Sequence, residues 1–342
     1  MNLLGKKKLN QNSFLLIVTI ILFFAMYIFG CIVFRDLNFG RFQVFLNLMI
    51  NNAALIVIAC GMTIVMITGG IDISVGSFVA LSCMMLANMM ENQGVGAVQA
   101  VLIVLVTGVV FGIVQGFLVA YLNIQPFIVT LAGMFFARGM TAIISRDMIA
   151  IKNELFTSWA QFRIRFPFGG YVNRRGKVID PYIYPTVVIA LVILVITFII
   201  LRYSRFGRRF YAVGGSEQSS LLMGINIRRT RFIAYVISGF YCAIGGILFC
   251  LNTCSGFVEQ AKGFEMDAIA SAVIGGTLLT GGVGNVIGSF FGVLIKGTIE
   301  TLINFPGVLS SWWVRIAIAA LLAFFIILQS VLGSKKEKGA RA

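Results

Sequence analysis

The chain has 342 residues, 59% of them hydrophobic and 11% charged, with a mean hydropathy of +0.98. A soluble domain carries about a quarter charged residues, so the polar surface here cannot cover a water-soluble globule, and an integral membrane protein is the class that remains. The net charge of +15 does not indicate nucleic acid, because the basic residues flank apolar runs, where lysine and arginine gather on the cytoplasmic side of a membrane.

Lys6, Lys7 and Lys8 precede an apolar run at 14–34. It is too long for a signal peptide and lacks a small-residue cleavage site, so it reads as a retained first span. Window hydropathy places further segments at 44–68, 73–90, 97–121, 126–146, 183–203, 231–253, 266–280, 285–304 and 311–332. The expected fold is an all-α polytopic membrane protein with about ten transmembrane segments. The third and eighth are short and read as half-helices or re-entrant pieces.

Ten crossings put three basic clusters on the cytoplasmic face: the N-terminal lysines, the loop with Arg202, Arg205, Arg208, Arg209, Arg228, Arg229 and Arg231, and the tail with Lys335, Lys336, Lys338 and Arg341. The loop 147–182 then lies outside with Arg163, Arg165, Arg174, Arg175 and Lys177; loops of that length translocate despite their charge. The expected organisation is a cytoplasmic tail 1–13, a membrane domain 14–332 with an extracytoplasmic loop 147–182 and a cytoplasmic loop 204–230, and a basic cytoplasmic tail 333–342.

The stretch ITGGIDISVGSF, 67–78, breaks an apolar run with glycines, serines and an aspartate. TGGIDISVGSF (68–78) aligns without a gap to TGGVGNVIGSF (280–290), and matched glycine interruptions in two halves point to a transporter's central site. Gly69, Gly70, Gly281 and Gly282 permit helix breaks whose freed backbone groups must face protein or a wet cavity, not lipid. An ionised Asp72 at that depth is costly, so it is expected to cap the half-helix starting near Ile73, with Ser74 sharing the role, or to contact substrate. Either way the break marks protein interior or aqueous path. Other polar residues within spans are Asn51, Asn52, Gln115, Asn123, Gln125, Arg138 and the i,i+4 pair Lys296 and Glu300. Neutral amides suit a polar uncharged solute, and Asn51 and Gln115 join the candidate path. GVVFGIVQG (108–116) and SGFYCAIGG (238–246) read as small-residue faces for close helix packing.

The six cysteines, Cys31, Cys60, Cys83, Cys242, Cys250 and Cys254, show no CxxC spacing and read as packing residues. Histidine is absent, which removes HExxH proteases, His-based metal sites and histidine bases. No cofactor or metal is expected. In the cytoplasmic loop, Gly214 and Gly215 are expected to break any helix, Ser216 to cap a new one of about two turns, and Gly224 to end it. Its apolar face, Leu221, Leu222 and Met223, suits either a partner's groove or the lipid interface.

The stretches MTIVMITGGIDISVGS (62–77), NIQPFIVTLAGMFFARG (123–139), GRRFYAVGGSEQSSLLMGI (207–225) and FEMDAIASAVIGGTLLTGGVGNVIGS (264–289) resemble the permease subunits of ribose-type sugar ABC importers, in the family's order. The ending LINFPGVLSSWWVRIAIAALLAFFIILQ (302–329) is most similar to one permease of the galactofuranose importer. The resemblance implies a type II-like importer permease fold in a bacterial inner membrane. It implies a second permease subunit, like or unlike, two ATPase domains beneath, and an extracytoplasmic sugar-binding protein that delivers a monosaccharide. It makes the short helix the coupling helix, with Gly214, Gly215, Ser216, Glu217, Leu221, Leu222 and Gly224 at the ATPase cleft. Ser216 departs from the family, where asparagine is common, as does the run SEQSSLLMG. The chain has no GxxxxGK[ST], so ATP is hydrolysed elsewhere. Two other classes compete: an ion-coupled secondary transporter of a small polar solute, which needs no ATPase, and a membrane enzyme, for which Asp72, Asp267 and Glu300 are too isolated in sequence.

Overall fold

The computed structural model describes residues 11–172, 178–305, 307 and 312–341; Lys6, Lys7, Lys8, Arg174, Arg175 and Lys177 lie outside the described residues. Eight described helices are long and apolar enough to cross a membrane: α1 (Gln11–Val33), α2 (Phe42–Ile67), α4 (Ala97–Ala120), α5 (Pro126–Ile144), α7 (Pro185–Tyr203), α10 (Ile227–Thr253), α12 (Val286–Asn304) and α13 (Trp312–Arg341). The expected third and eighth segments are shorter: α3 (Val75–Glu91) has 17 residues and α11 (Phe264–Ile274) has 11. At 1.5 Å per residue neither reaches the ~30 Å of a hydrocarbon core. Among the described residues, length and composition therefore support eight spans and do not confirm the count of ten.

Burial sorts the helices into two layers. In α2, 94% of the apolar window is buried inside the protein, and 61% in α10 and α12, against 17% in α1 and 22% in α5 and α13. The outer helices show large apolar side chains outward, among them Ile32, Val106, Phe135 and Val195. In water such a surface would aggregate; in lipid it is the solvated face. Pro126 and Pro185 stand in the first turns of α5 and α7, where a missing N–H costs nothing.

Glycine lets the inner layer close. Gly108 and Gly112 on α4 pack against α10 so tightly that an added Cβ at Gly112 would lie 2.6 Å from the Tyr235 carbonyl oxygen. The same stripes that read as packing faces in the sequence form this contact, in which backbone touches backbone.

The segment between α5 and α7 is folded, not a bare solvated loop. β1 (Ile149–Ala150) pairs antiparallel with β6 (Ser255–Gly256), β2 (Ile164–Arg165) with β5 (Tyr182–Ile183), and β3 (Tyr171–Val172) with β4 (Val178–Ile179). Helix α6 (Glu154–Gln161) buries Phe156. Glu91 at the end of α3 accepts from the Lys152 and Asn153 N–H groups at 2.7 and 3.0 Å, which ties the segment to the bundle. At the opposite end of α10 lie α8 (Arg205–Gly215) and α9 (Glu217–Leu222).

Candidate functional site

The break after α2 is real and fully furnished. Gly69 turns the chain at φ +81°, and Gly281 does the same in the second copy at φ +86°, conformations that side-chain-bearing residues rarely adopt. The two copies of the motif therefore share a layout: a helix (α2 or α11), a glycine turn, then a second helix (α3 or α12).

Asp72 is 2% exposed. Its Oδ1 accepts from the Ser74 N–H at 3.1 Å and the Ser74 hydroxyl at 2.5 Å, and Oδ2 accepts from the Ser238 hydroxyl of α10 at 2.8 Å. Gln115 of α4 donates to Ser74 Oγ at 2.9 Å. Thr130 of α5 donates to the Ile71 carbonyl at 3.2 Å, as one acceptor in a shared bond. A buried carboxylate is tolerated when donors meet it; Ser74 of the break and Ser238 of α10 do so, while Gln115 and Thr130 tie the break itself to α4 and α5. Asp72 is not the N-cap residue: α3 begins two residues later than expected, at Val75, with Ser74 at the cap. Its role in this geometry is to lock the break to α10, and through Ser74 and Gln115 to α4.

Sequence reasoning missed Ser238 and Thr130. Their signal was only a hydroxyl in an apolar helix, and hydroxyls bonded back to the preceding turn are common there. The sequence also placed Asn51 on the path, whereas its side chain is exposed on α2; its neighbour Asn52 is the buried one and donates to the Leu48 carbonyl at 2.9 Å.

The three glycine pairs meet at one point. The Gly282 N–H donates to the Ile67 carbonyl at 2.9 Å, satisfying an orphan acceptor at the end of α2. An added Cβ at Gly214 would collide with that same carbonyl oxygen and come within 2.5 Å of Gly282 N. One at Gly281 would stand 2.9 Å from Gly69 Cα and 3.1 Å from the Gly214 carbonyl oxygen. Tyr211 of α8 donates to the Gly284 carbonyl at 2.9 Å. So Gly214 and Gly215 do not break a helix as expected. They are the last residues of α8, and Gly214 is small because both helix breaks press against it.

Helix α9 follows. Ser216 Oγ accepts from the Ser219 N–H at 3.2 Å as its N-cap, and Gly224 turns the chain away at φ +71°. Glu217 pairs with Arg231 of α10. Leu221, Leu222 and Met223 are 62%, 89% and 64% exposed, an apolar tip left uncovered by the described residues.

A family model described as "Branched-chain amino acid transport system / permease component" matches residues 44–328. The chain is 41% identical over 314 residues to the inner membrane ABC transporter permease protein YjfF of Escherichia coli (strain K12), covering 92% of this chain and 91% of the relative. It is 36% identical over 343 residues to the fructose import permease protein FruG of Bifidobacterium longum (strain NCC 2705), with 96% and 95% covered. To the ribose import permease protein RbsC of Escherichia coli (strain K12) it is 33% identical over 302 residues, with 88% of each covered. No solved structure matches the chain.

Proposed function

The chain belongs to the permease components of the branched-chain amino acid transport system family, and from that membership we propose that it is the membrane subunit of an ATP-binding-cassette importer that carries a monosaccharide into the bacterial cytoplasm across the inner membrane. As a permease it is a transport component with no catalysis of its own. The sugar class rests on relatives named for fructose and ribose; a pentose or hexose fits, galactofuranose among them. The proposed assembly has two copies of this chain, or this chain with a sister permease, two ATPase domains and an extracytoplasmic binding protein. Residues 14–332 form the membrane domain, with both termini in the cytoplasm.

The observation that carries the coupling is the glycine junction. Helix α9 presents an apolar tip, and the residue pair immediately before it, Gly214 and Gly215, sits against both helix breaks. A motor that grips α9 pushes on packed backbone, and packed backbone passes displacement on with little loss. Movement at α9 thus reaches Ile67, Gly281 and Gly282 directly, and Gly69, Gly70, Asp72 and Ser74 through the same loop. This is the mechanical content of alternating access here: the breaks shift relative to one another as the ATPases close.

The test uses the assembled transporter in proteoliposomes. Changing Glu217 and Leu221 together to Arg removes the Arg231 pair and puts charge on the apolar tip. Uptake of labelled sugar should fall at least about tenfold, the effect of an unpaired charge at an interface, and ATP hydrolysis should no longer depend on the permease. Undiminished uptake in this double variant, or uptake that follows an ion gradient without ATP, would sink the proposal.

A further inference from the structure

At the end of the bundle away from α9, the structure contains a cavity of about 940 Å³ between α11, α12, α13 and the 259–264 turn. Helix α10 has 27 residues, so its two ends lie about 40 Å apart, and Phe249 from its far end lines this cavity. The cavity is thus remote from the glycine junction, and it shares no residue with the Asp72 cluster.

Its chemistry is unlike that of a lipid-filled crevice. Lys296 is 5% exposed within an apolar helix. Its Nζ lies 2.6 Å from Glu300 Oε1 and 3.3 Å from Asp267 Oδ2. The carboxylate side chains keep 25% (Asp267) and 36% (Glu300) exposure. Glu259, Lys262 and Arg315 complete the charged lining, so three cations face three anions. An acyl chain there would desolvate all of them for no return. A charged solute would meet as much repulsion as attraction. A neutral polyhydroxylated solute meets neither penalty, because ionised donors and acceptors both make strong hydrogen bonds to hydroxyls. Asn304 adds an amide, and Trp312, whose ring lies 4.9 Å from the Arg315 guanidinium carbon, adds an aromatic wall for the apolar face of a ring.

We propose that this cleft is the outward-side reception site for the sugar, with Asp267 and Glu300 accepting its hydroxyls and Lys296 holding both carboxylates in place. The inference rests on the monosaccharide reading above. It predicts a substrate contact at the end of the bundle remote from the helix breaks.

The test measures uptake of labelled D-ribose, D-fructose and D-galactose by the complete transporter, with ATP hydrolysis followed in parallel. For the sugar taken up by the wild type, Asp267→Asn and Glu300→Gln should each raise the half-saturating concentration or cut uptake about tenfold, the loss expected for one charge-assisted hydrogen bond. Basal ATP hydrolysis should be unchanged in both. Met266→Trp offers a variant that leaves the charges intact: this cavity-lining residue is 57% exposed, and the larger ring narrows the opening, so uptake should fall with hydrolysis retained. Wild-type uptake of a sugar together with normal uptake in all three variants overturns the cleft alone. Failure of the wild type to take up these three or any other pentose or hexose offered, galactofuranose included, overturns the cleft together with the monosaccharide reading.

Discussion

At the scale of single residues, adjacent glycines have different duties. Gly214 faces the Ile67 carbonyl oxygen with no room for a methyl group, whereas a methyl on Gly215 meets nothing within 4 Å. Gly214→Ala should therefore destabilise the detergent-solubilised protein by about 1–3 kcal/mol, the usual cost of overpacking, and impair uptake. Gly215→Ala should leave both near wild type. Thermal unfolding of the two variants side by side checks this, and equal midpoints would remove the close-contact explanation. That a glycine pair lay in the basic loop after α7 was legible in the sequence. Which of the two was constrained was not, because the obstructing atoms belong to residues far away along the chain.

At the scale of elements, the glycine stripe of α4 shows how much packing a local pattern can foretell. Spacing of four places Gly108, Gly112 and Gly116 on one face, and all three meet α10. Gly112→Leu should force α4 and α10 apart and lower stability by about 1–3 kcal/mol or more, whereas Gly139→Leu on α5, with nothing within 4 Å of its added Cβ, should be tolerated. Thermal denaturation followed by loss of monodisperse protein on gel filtration separates them. The segment at 147–182 shows the reverse. Its short strands carry little periodicity, and one of them, β1, pairs with a strand beyond α10, so the sequence offered only a long basic loop.

At the scale of the whole molecule, α8 and α9 occupy one end of the bundle and the β-paired segment the other, so a membrane between them gives each a different compartment. Cysteine labelling tests the assignment, in a background with the six native cysteines replaced by alanine. A cysteine at Leu222, 89% exposed, should react with an impermeant reagent only after the cytoplasmic face is opened, and one at Phe162, 60% exposed, should react in intact cells. The reversed pattern would place α9 out of reach of any cytoplasmic ATPase and end the coupling proposal.

The sequence by itself determined the membrane class, the apolar helices, the two glycine interruptions and the short capped helix, because hydropathy, glycine freedom and capping act over a few consecutive residues. Only the tertiary structure decided that three glycine pairs converge, that Ser238 holds Asp72, and that Asp267 joins Lys296 and Glu300. Those contacts depend on how helices cross, and crossing is decided by side chains and backbones meeting across long separations in the chain, which no local pattern records.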